Sequence, residues 1–321
     1  MSNLRAWAQM VRVPNTLTSC ADVLAGMCLA GGVSNHFVKH PIAAMVASVA
    51  SISFYWAGMV LNDVFDVEQD REQGRPNPLV TGKITMTAAQ RAGFGLMVVG
   101  ILLSFLAPWT IPLGGSRDFR FAMLIPGLVG CLLAGAVYAY DGPLKKSPSA
   151  PLIMGICRGL NMSLGVAWIA AVLPVTLGWA AALVVVGHIA YVTGLTIAAR
   201  READLSQSRL RLSAGWGICG LGALWIAISP SFELGRSYRI EPIWGFPLLV
   251  GILLLPLFRR VVTSLQSLRP QDLGRAIRQA IFTILFLDAS VALQYSGDIP
   301  GLCIAVMAIP TLALGRWFRA T

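Results

Sequence analysis

Hydrophobic residues in this chain of 321 residues are gathered into long runs, with most polar residues in the segments between them. An α-helix needs about 20 apolar residues to cross the hydrocarbon core of a bilayer. Runs that approach this length lie near residues 14–33, 41–62, 88–111, 120–140, 150–173, 176–199, 212–230, 242–258, 276–295 and 299–317. The last run is short and contains Pro310, so it is expected either to span or to lie along the interface. The pattern predicts an all-α polytopic membrane protein formed by a single domain over residues 1–321.

Composition and charge support this prediction and give an orientation. Hydrophobic residues make up 56% of the sequence and charged residues 12%, with a mean hydropathy of +0.69, which excludes a soluble protein of this size. Of the 25 Lys and Arg residues, 20 fall at the N-terminus, in the even-numbered connections or after the last run. Cytoplasmic loops carry an excess of these residues. We therefore expect an integral membrane protein of a bacterial inner membrane with both termini cytoplasmic, and the net charge of +10 requires no nucleic-acid partner.

The second apolar run ends in a group of oxygen-bearing side chains, Asn62, Asp63, Asp66 and Asp70. On a helix, positions 62, 66 and 70 drift by about 80° over about 12 Å and therefore form one stripe. Carboxylates crowded at the mouth of a membrane helix are costly unless a cation lies among them. Mg²⁺ takes one or two carboxylates and completes its octahedron with water and phosphate oxygens. The stripe predicts an Mg²⁺ site for a phosphorylated substrate; the alternative is that these acids only end the helix in water.

The motif Asn-Asp-x-x-Asp-x-x-x-Asp of residues 62–70, followed by Arg-Pro-x-Pro-Leu-x-x-Gly at residues 75–82, resembles the first aspartate motif of the UbiA family of intramembrane prenyltransferases. The resemblance implies a bundle of nine to ten transmembrane helices around a central cavity open to the cytoplasmic side. It also implies Mg²⁺-dependent transfer of a prenyl group from an isoprenyl diphosphate to an aromatic or lipid acceptor, among membrane lipids. In its departures at the second acidic motif, the chain resembles a divergent, EboC-like branch.

Residues after the second and fourth runs are candidates for binding the diphosphate. Arg75 and Lys83 lie in the segment 72–87, whose Gly and Pro residues predict an irregular cap over the acids. Asn77 stands where the family pattern commonly has a second arginine. Beyond the fourth run, the chain resembles the tyrosine-and-lysine element of the family, which implies a substrate-binding role for Tyr140, Lys145 and Lys146. For the bases, the alternative is that they only fix the topology.

The first and fifth runs carry polar residues inside otherwise apolar helices. Asn15 and Asp22 share one face of the first run, and Arg158 and Asn161 share one face of the fifth. An intramembrane acid or arginine normally faces the bundle interior or a cavity and meets a partner there. We therefore expect Asn15, Arg158 and Asn161 to line the substrate cavity. A purely structural polar interface is the alternative.

The sixth run ends where the UbiA family carries its second acidic motif, but the match is imperfect. Glu202 fits the first acid, Ser206 stands at the position of the second, and Asp204 lies about 200° from Glu202 on a regular helix. The resemblance implies that Glu202, with Asp204 after local unwinding, completes the Mg²⁺ site. The alternative is a charged helix end paired with neighbouring arginines.

These residues imply a mechanism in which Asp66, Asp70 and Glu202 are catalytic through Mg²⁺. Bases steady the departing diphosphate, and the apolar bundle shelters the allylic cation from water. Two isolated residues, His188 and Asp288, are left outside the site as structural, with Asp288 paired to a base across the bundle. Two other functions stay open: a UbiA-type terpene cyclase, and a non-catalytic lipid-binding or transport relative.

Overall fold

The computed structural model describes residues 3–31, 40–75, 77–110, 124–172, 178–200, 205–233 and 236–320. Within these ranges the chain is helical, with short turns and no β-strand. Nine stretches of the described chain are long and apolar enough to cross a membrane. The prediction of an all-α polytopic fold is confirmed.

Each of the first nine predicted runs corresponds to one helix, the last run corresponds to two, and a short helix precedes the first run. In chain order the helices are α1 Asn3–Met10, α2 Thr16–Gly31, α3 Pro41–Glu72, α4 Met86–Phe105, α5 Leu124–Asp141, α6 Ala150–Ala170, α7 Trp179–Ala199, α8 Leu205–Ile228, α9 Gly245–Ser267, α10 Pro270–Ser296, α11 Asp298–Val306 and α12 Ala308–Ala320. The largest difference from the predicted bounds is in α3, whose apolar run ends near residue 62 while the helix continues for ten residues more. The acidic motif is therefore part of a helix and not of a loop.

The last run is divided between α11 and α12 at Met307. Pro310 is the third residue of α12, and a proline ring collides with the carbonyl group four residues earlier, here that of Val306. The N–H of Met307 instead bonds to the carbonyl oxygen of Ile304 at 3.1 Å, which closes α11 with a tighter turn. The two helices together form one of the candidate spans, Asp298–Trp317, and α12 packs beside the short 3₁₀ helix Val13–Asn15.

The helices from α2 to α10 pack mainly against their sequence neighbours, and α10 returns to contact α2. This order closes the bundle into a ring. The helix α2 also packs along α6, which brings the first and fifth predicted runs together. The ring therefore has an interior to which α2, α3, α5, α6, α7 and α10 all contribute side chains.

The contact between α2 and α6 is made by small residues. A Cβ atom at Gly26 would collide with the carbonyl oxygen of Met162, and one at Gly165 would collide with the carbonyl oxygen of Val23. In lipid, helices associate largely through close packing, which small residues permit. The crossing places Asp22 on α2 directly beside Arg158 of α6.

Candidate active site

The acidic stripe lies on the last turns of α3, which stays helical through Glu72. Asn62, Asp63 and Asp66 are half-buried, and Asp70 is 7% exposed. A helix end with so many carboxylates needs donors from its surroundings, since acids at a helix C-terminus oppose its dipole. The adjoining loops supply these donors.

Two carboxylates of the stripe are paired with bases. Lys145 Nζ donates to Asp66 Oδ2 at 2.5 Å, and Arg75 Nη1 donates to Asp70 Oδ1 at 3.3 Å. Asn77 Nδ2 donates to the other oxygen of Asp70 at 2.8 Å. The predicted anion-binding residues Lys145 and Arg75 thus contact the predicted metal ligands Asp66 and Asp70 directly.

An irregular cap follows α3, over residues 73–75 and 77–85, as the glycines and prolines predict. Gly74 and Gly82 have positive φ angles of 62° and 68°, a left-handed conformation that costs other residues about 1–2 kcal/mol. Asn77 Oδ1 accepts the backbone N–H of Leu79 at 2.9 Å while its amide group holds Asp70. Asn77, a departure from the family pattern, therefore ties the cap to the acidic stripe.

Sequence reasoning missed one acid of the site, Asp141, which is the last residue of α5. Its side chain is almost completely buried, and its Oδ1 accepts a hydrogen bond from Asn62 Nδ2 at 3.1 Å. Asp66 and Lys145 are among its electrostatic neighbours. The sequence did contain a signal for Asp141, because this acid stands at the end of an apolar run. The acids of the stripe on α3 also stand at the end of an apolar run.

The loop that carries Lys145 is anchored by a residue at the end of another helix, α7. Arg200, at the end of α7, donates from Nη2 to the carbonyl oxygens of Lys145 at 3.1 Å and Ser147 at 3.0 Å. Lys146 and Lys83, by contrast, are exposed, and among the described residues no hydrogen bond or ion pair joins them to the stripe. The structure therefore brings Lys145 and Arg75 to the acids but not Lys146 or Lys83.

A cavity of about 350 Å³ lies beside the stripe, inside the ring of helices. Predicted substrate-binding residues Asn15, Tyr140, Arg158 and Asn161 line it, together with Asp141. The rest of its wall is mostly apolar and includes Phe54, Met59, Leu133, Val137, Leu195 and Ile281. The cavity therefore joins a polar region next to the acids to a hydrophobic interior.

Arg12 is a second residue of the cavity wall that the sequence analysis did not select. It precedes the 3₁₀ helix Val13–Asn15 and has a left-handed backbone with φ of 49°. Such a conformation is uncommon for a residue other than glycine and is concentrated at functional sites. Asp63 and Asp141 are within its electrostatic reach. Arg12 and Arg158 are thus the two cationic residues among the described residues that line the cavity.

Arg158 and Asn161 both reach across to α2. Arg158 Nη1 donates to Asp22 Oδ2 at 2.6 Å, and its Nη2 donates to Thr18 Oγ1 at 2.9 Å. Asn161 Nδ2 donates to the carbonyl oxygen of Ser19 at 2.8 Å and to Asp22 Oδ2 at 3.1 Å. The guanidinium group is therefore held from behind by a buried acid while it lines the cavity.

His188 and Asp288, which were left outside the site, are partners. His188 Nε2 lies 2.7 Å from Asp288 Oδ1, and its Nδ1 lies 3.3 Å from the carbonyl oxygen of Val184. Both ring nitrogens face acceptors, an arrangement that a doubly protonated imidazolium satisfies. A base across the bundle thus pairs with Asp288.

Asp22 extends this pair to a buried cluster of three residues. Asp22, His188 and Asp288 each contribute one side-chain oxygen or nitrogen atom, and these three atoms lie within 4.8 Å of one another. Arg158 pairs with Asp22 and His188 pairs with Asp288, so each carboxylate of the cluster has a basic partner. A divalent cation added to this set would leave surplus positive charge in the membrane interior, which is costly. We therefore assign the cluster to holding α2, α6, α7 and α10 together.

The second acidic element falls outside the described residues. Glu202 and Asp204 belong to the segment 201–204, and the side chain of Ser206 is not described either. The predicted Mg²⁺ ligands that lie in the described part of the chain are therefore Asn62, Asp63, Asp66 and Asp70. They offer hard carboxylate and amide oxygens, the donors that Mg²⁺ prefers, and the Lys145 ammonium already stands against Asp66 as a cation.

The chain is similar in sequence to a family of known proteins and to several of its members. Residues 21–287 match the profile of the UbiA prenyltransferase family. Digeranylgeranylglyceryl phosphate synthase of Ignicoccus hospitalis is 29% identical over 144 residues, which are 45% of this chain and 40% of that protein. The enzyme of the same name from Sulfurisphaera tokodaii is 32% identical over 144 residues, 45% of each protein. The match thus spans less than half the length of either relative.

The fold is shared with a solved structure. The apo structure of a UbiA homolog from Aeropyrum pernix K1 superimposes with a TM-score of 0.61 at 14% sequence identity, covering 86% of this chain and 96% of that one. At this identity the likeness concerns the fold alone.

Proposed function

Because the chain belongs to the UbiA prenyltransferase family, we propose that it transfers a prenyl group from an isoprenyl diphosphate to a lipid acceptor inside the membrane, with Mg²⁺ as cofactor. The observation that carries this proposal is the juxtaposition of the acidic stripe, its paired bases and a largely apolar cavity. A prenyl diphosphate has the same two parts, a multiply charged head and a hydrocarbon chain. The relatives with named activities support a lipid acceptor over an aromatic one.

The cofactor site we propose consists of Asn62, Asp66 and Asp70 on α3, with Asp63 beside them and with Glu202 and Asp204 from the segment outside the described residues. When bound there, Mg²⁺ would neutralise the diphosphate and make it a better leaving group. The half-burial of the stripe under the cap limits the water that reaches it. Carboxylates in such surroundings attract a cation more strongly than they would in bulk water.

Cations of the protein would bind the diphosphate head. Lys145 and Arg75 already lie at the acids, and Arg12 and Arg158 line the cavity wall. As the bond between the prenyl carbon and the diphosphate oxygen breaks, its electron pair stays on the diphosphate, whose growing charge these cations stabilise. The acceptor then forms the new bond to the prenyl carbon and releases a proton.

The apolar wall of the cavity would hold the prenyl chain and keep water from the allylic cation. Aliphatic and aromatic side chains make up most of this wall. The cap ties itself to the acids through Asn77, so it closes the polar side of the site. Exclusion of water prevents hydrolysis of a reactive intermediate.

We also propose that the site opens toward the cytoplasm and that both termini lie on that side. The connections that carry the acidic stripe, Lys145 and Arg200 are the ones rich in Lys and Arg. Positively charged loops are retained in the cytoplasm. An isoprenyl diphosphate made in the cytoplasm would then reach the cavity from its own side of the membrane.

The proposed function is tested with purified protein, Mg²⁺, a labelled isoprenyl diphosphate and either a lipid or an aromatic acceptor. We expect D66N to lose at least about 100-fold in transfer rate, since it removes a charge that acts on the leaving group. E68Q is the matched control, because Glu68 lies on the same helix but is exposed and paired with Arg71 at 2.9 Å. Unchanged turnover in D66N would overturn the role of the stripe.

The products separate this function from the two alternatives. A cyclic hydrocarbon or alcohol formed without acceptor would indicate a terpene cyclase. No release of pyrophosphate with any prenyl chain length would indicate a non-catalytic lipid-binding or transport protein.

A further inference from the structure

Asp141 faces the acidic stripe from a different helix. It ends α5 and is 2% exposed, and its Oδ1 receives the hydrogen bond of Asn62. Its Oδ2 accepts no hydrogen bond from the described residues. The same oxygen lies close to Gly58, because a Cβ atom built on that glycine would be 3.4 Å from it. Gly58 precedes Asn62 by one helical turn. The free oxygen therefore sits beside the continuation of the stripe, in space that a larger side chain would fill.

The carboxylates of α3 and α5 share their counter-ions. Lys145 and Arg12 both act electrostatically on Asp63 and on Asp141, and Asp66 is a close like-charged neighbour of each. Lys145 Nζ itself contacts Asp66. Its ammonium group thus contacts one of these acids and acts electrostatically on two others, Asp63 and Asp141.

We propose that Asp141 is a further ligand of the divalent cation, and that the Lys145 ammonium holds the position of this cation until substrate binds. The proposal rests on the prenyl-transfer function argued above and adds to it an acid from α5, outside both acidic motifs. A cluster of carboxylates alone would not define such a site. Two observations point to a cation. The first is that Asp141, a residue 2% exposed, lines the cavity with an oxygen, Oδ2, that accepts no hydrogen bond from the described residues. The second is the Lys145 ammonium group in contact with Asp66.

Binding of the cation and of the diphosphate is therefore coupled. A metal ion that takes Asp66 releases Lys145, whose freed ammonium then meets the diphosphate. If the metal ion binds without diphosphate, Lys145 loses its partner Asp66 and gains no other. If diphosphate binds Lys145 without the metal ion, the negative charge of the acids is left without a counter-ion. By linkage each ligand tightens the binding of the other by the same factor, which for such coupling is about 5- to 150-fold.

The first test measures binding of Mn²⁺ alone, as a probe for Mg²⁺, to the full-length protein in detergent by electron paramagnetic resonance of the free ion. We expect D141N to weaken binding by at least about tenfold, the loss typical of disturbing a metal site. The asparagine oxygen still accepts from Asn62, so the fold is retained, which thermal unfolding checks. E68Q removes one nearby carboxylate charge outside the cluster and should change affinity less than about twofold. Equal effects of D141N and E68Q would overturn the assignment.

The second test removes the resident ammonium. K145Q should bind Mn²⁺ alone about fivefold more tightly than the natural protein, because the metal ion no longer competes with the ammonium group for Asp66. This factor is the lower end of the range typical of coupling between two ligands. K146Q deletes the same charge from the next residue, which is exposed and does not contact Asp66, and should leave the affinity almost unchanged. If K145Q and K146Q behave alike, Lys145 does not hold the position of the cation.

Failure of this inference can be told apart from failure of the proposed function. If the natural protein binds Mn²⁺ and D66N does not, while D141N binds normally, the metal site stands and Asp141 is not part of it. If neither the natural protein nor K145Q binds Mn²⁺, with or without inorganic pyrophosphate, the metal-dependent function fails and this inference fails with it.

Discussion

At the scale of single residues, two carboxylates of the stripe, Asp66 and Asp70, are held by different kinds of donor. Asp66 is held by an ammonium group, and Asp70 by a guanidinium group and an amide. Charged donors are the ones that a bound diphosphate would attract away. The amide of Asn77 is neutral and has no such competitor, so its bond to Asp70 is the link that persists when ligands bind.

We predict that N77A destabilises the protein by about 1–3 kcal/mol, because it leaves a carboxylate oxygen of Asp70 and the N–H of Leu79 without their buried partner. Thermal unfolding in detergent measures the loss. Q69A is the control, since it removes an amide from an exposed position of the same helix. Equal stability of the two variants would show that the cap is not held through Asn77.

At the scale of elements, the pairing of α2 with α6 decides where the cavity lies. Their backbones touch at Gly26 and Gly165, and the ion pair of Asp22 with Arg158 crosses the same contact. Small residues set the distance between the helices, whereas the ion pair sets their register along the axis. Both features are needed for Arg158 to line the cavity.

The ion pair leads to a prediction for a double-mutant cycle. D22N and R158M should each destabilise the protein by about 3–5 kcal/mol, because each leaves a buried charge unpaired. The double variant should lose less than the sum of the two, since it leaves neither charge behind. Denaturant unfolding of the four proteins measures the coupling, and additive losses would contradict the pairing.

A glycine comparison tests the backbone contact. G165A should destabilise the bundle by about 1–3 kcal/mol, because the added methyl group meets the carbonyl oxygen of Val23. G217A is the matched control on α8, where an added Cβ atom meets nothing within 4 Å. It should be neutral or slightly stabilising, because alanine favours a helix over glycine by up to about 1 kcal/mol. Thermal unfolding that ranks G217A below G165A would contradict the contact.

At the scale of the whole molecule, the ring of helices has two chemically different ends. One end carries the acidic stripe, the loop with Lys145 and the end of α7 with Arg200. The connection between α8 and α9 carries Arg236 and Arg239. It lies at the opposite end of the bundle, because one spanning helix, α8, separates it from the end of α7. The bundle therefore presents its proposed chemistry to one side of the membrane only.

The proposed orientation predicts one-sided chemical labelling. In a cysteine-free background, K146C should react with a membrane-impermeant maleimide only after cells are permeabilised, because its loop is placed in the cytoplasm. S237C, an exposed position between α8 and α9, should react in intact cells. The reverse pattern would invert the topology, and labelling of both from one side would contradict the number of spans between them.

Much of the fold followed from the sequence because membrane helices are encoded locally. Length and hydropathy predicted the helices, and Pro310 marked the break between α11 and α12. The spacing of Asn62, Asp66 and Asp70 predicted one helical face, since side-chain direction on a helix depends only on position along it. The glycines and prolines of the cap were equally local signals.

What the sequence by itself determined was therefore the set of helices, their polar faces and the kind of charge at each end. The tertiary structure alone decided which of these groups meet: Asp141 with Asn62, Arg158 with Asp22, and His188 with Asp288. These partners are 79, 136 and 100 residues apart in the chain. Their distances depend on how helices pack, which is set by the summed fit of many side chains and by no single spacing.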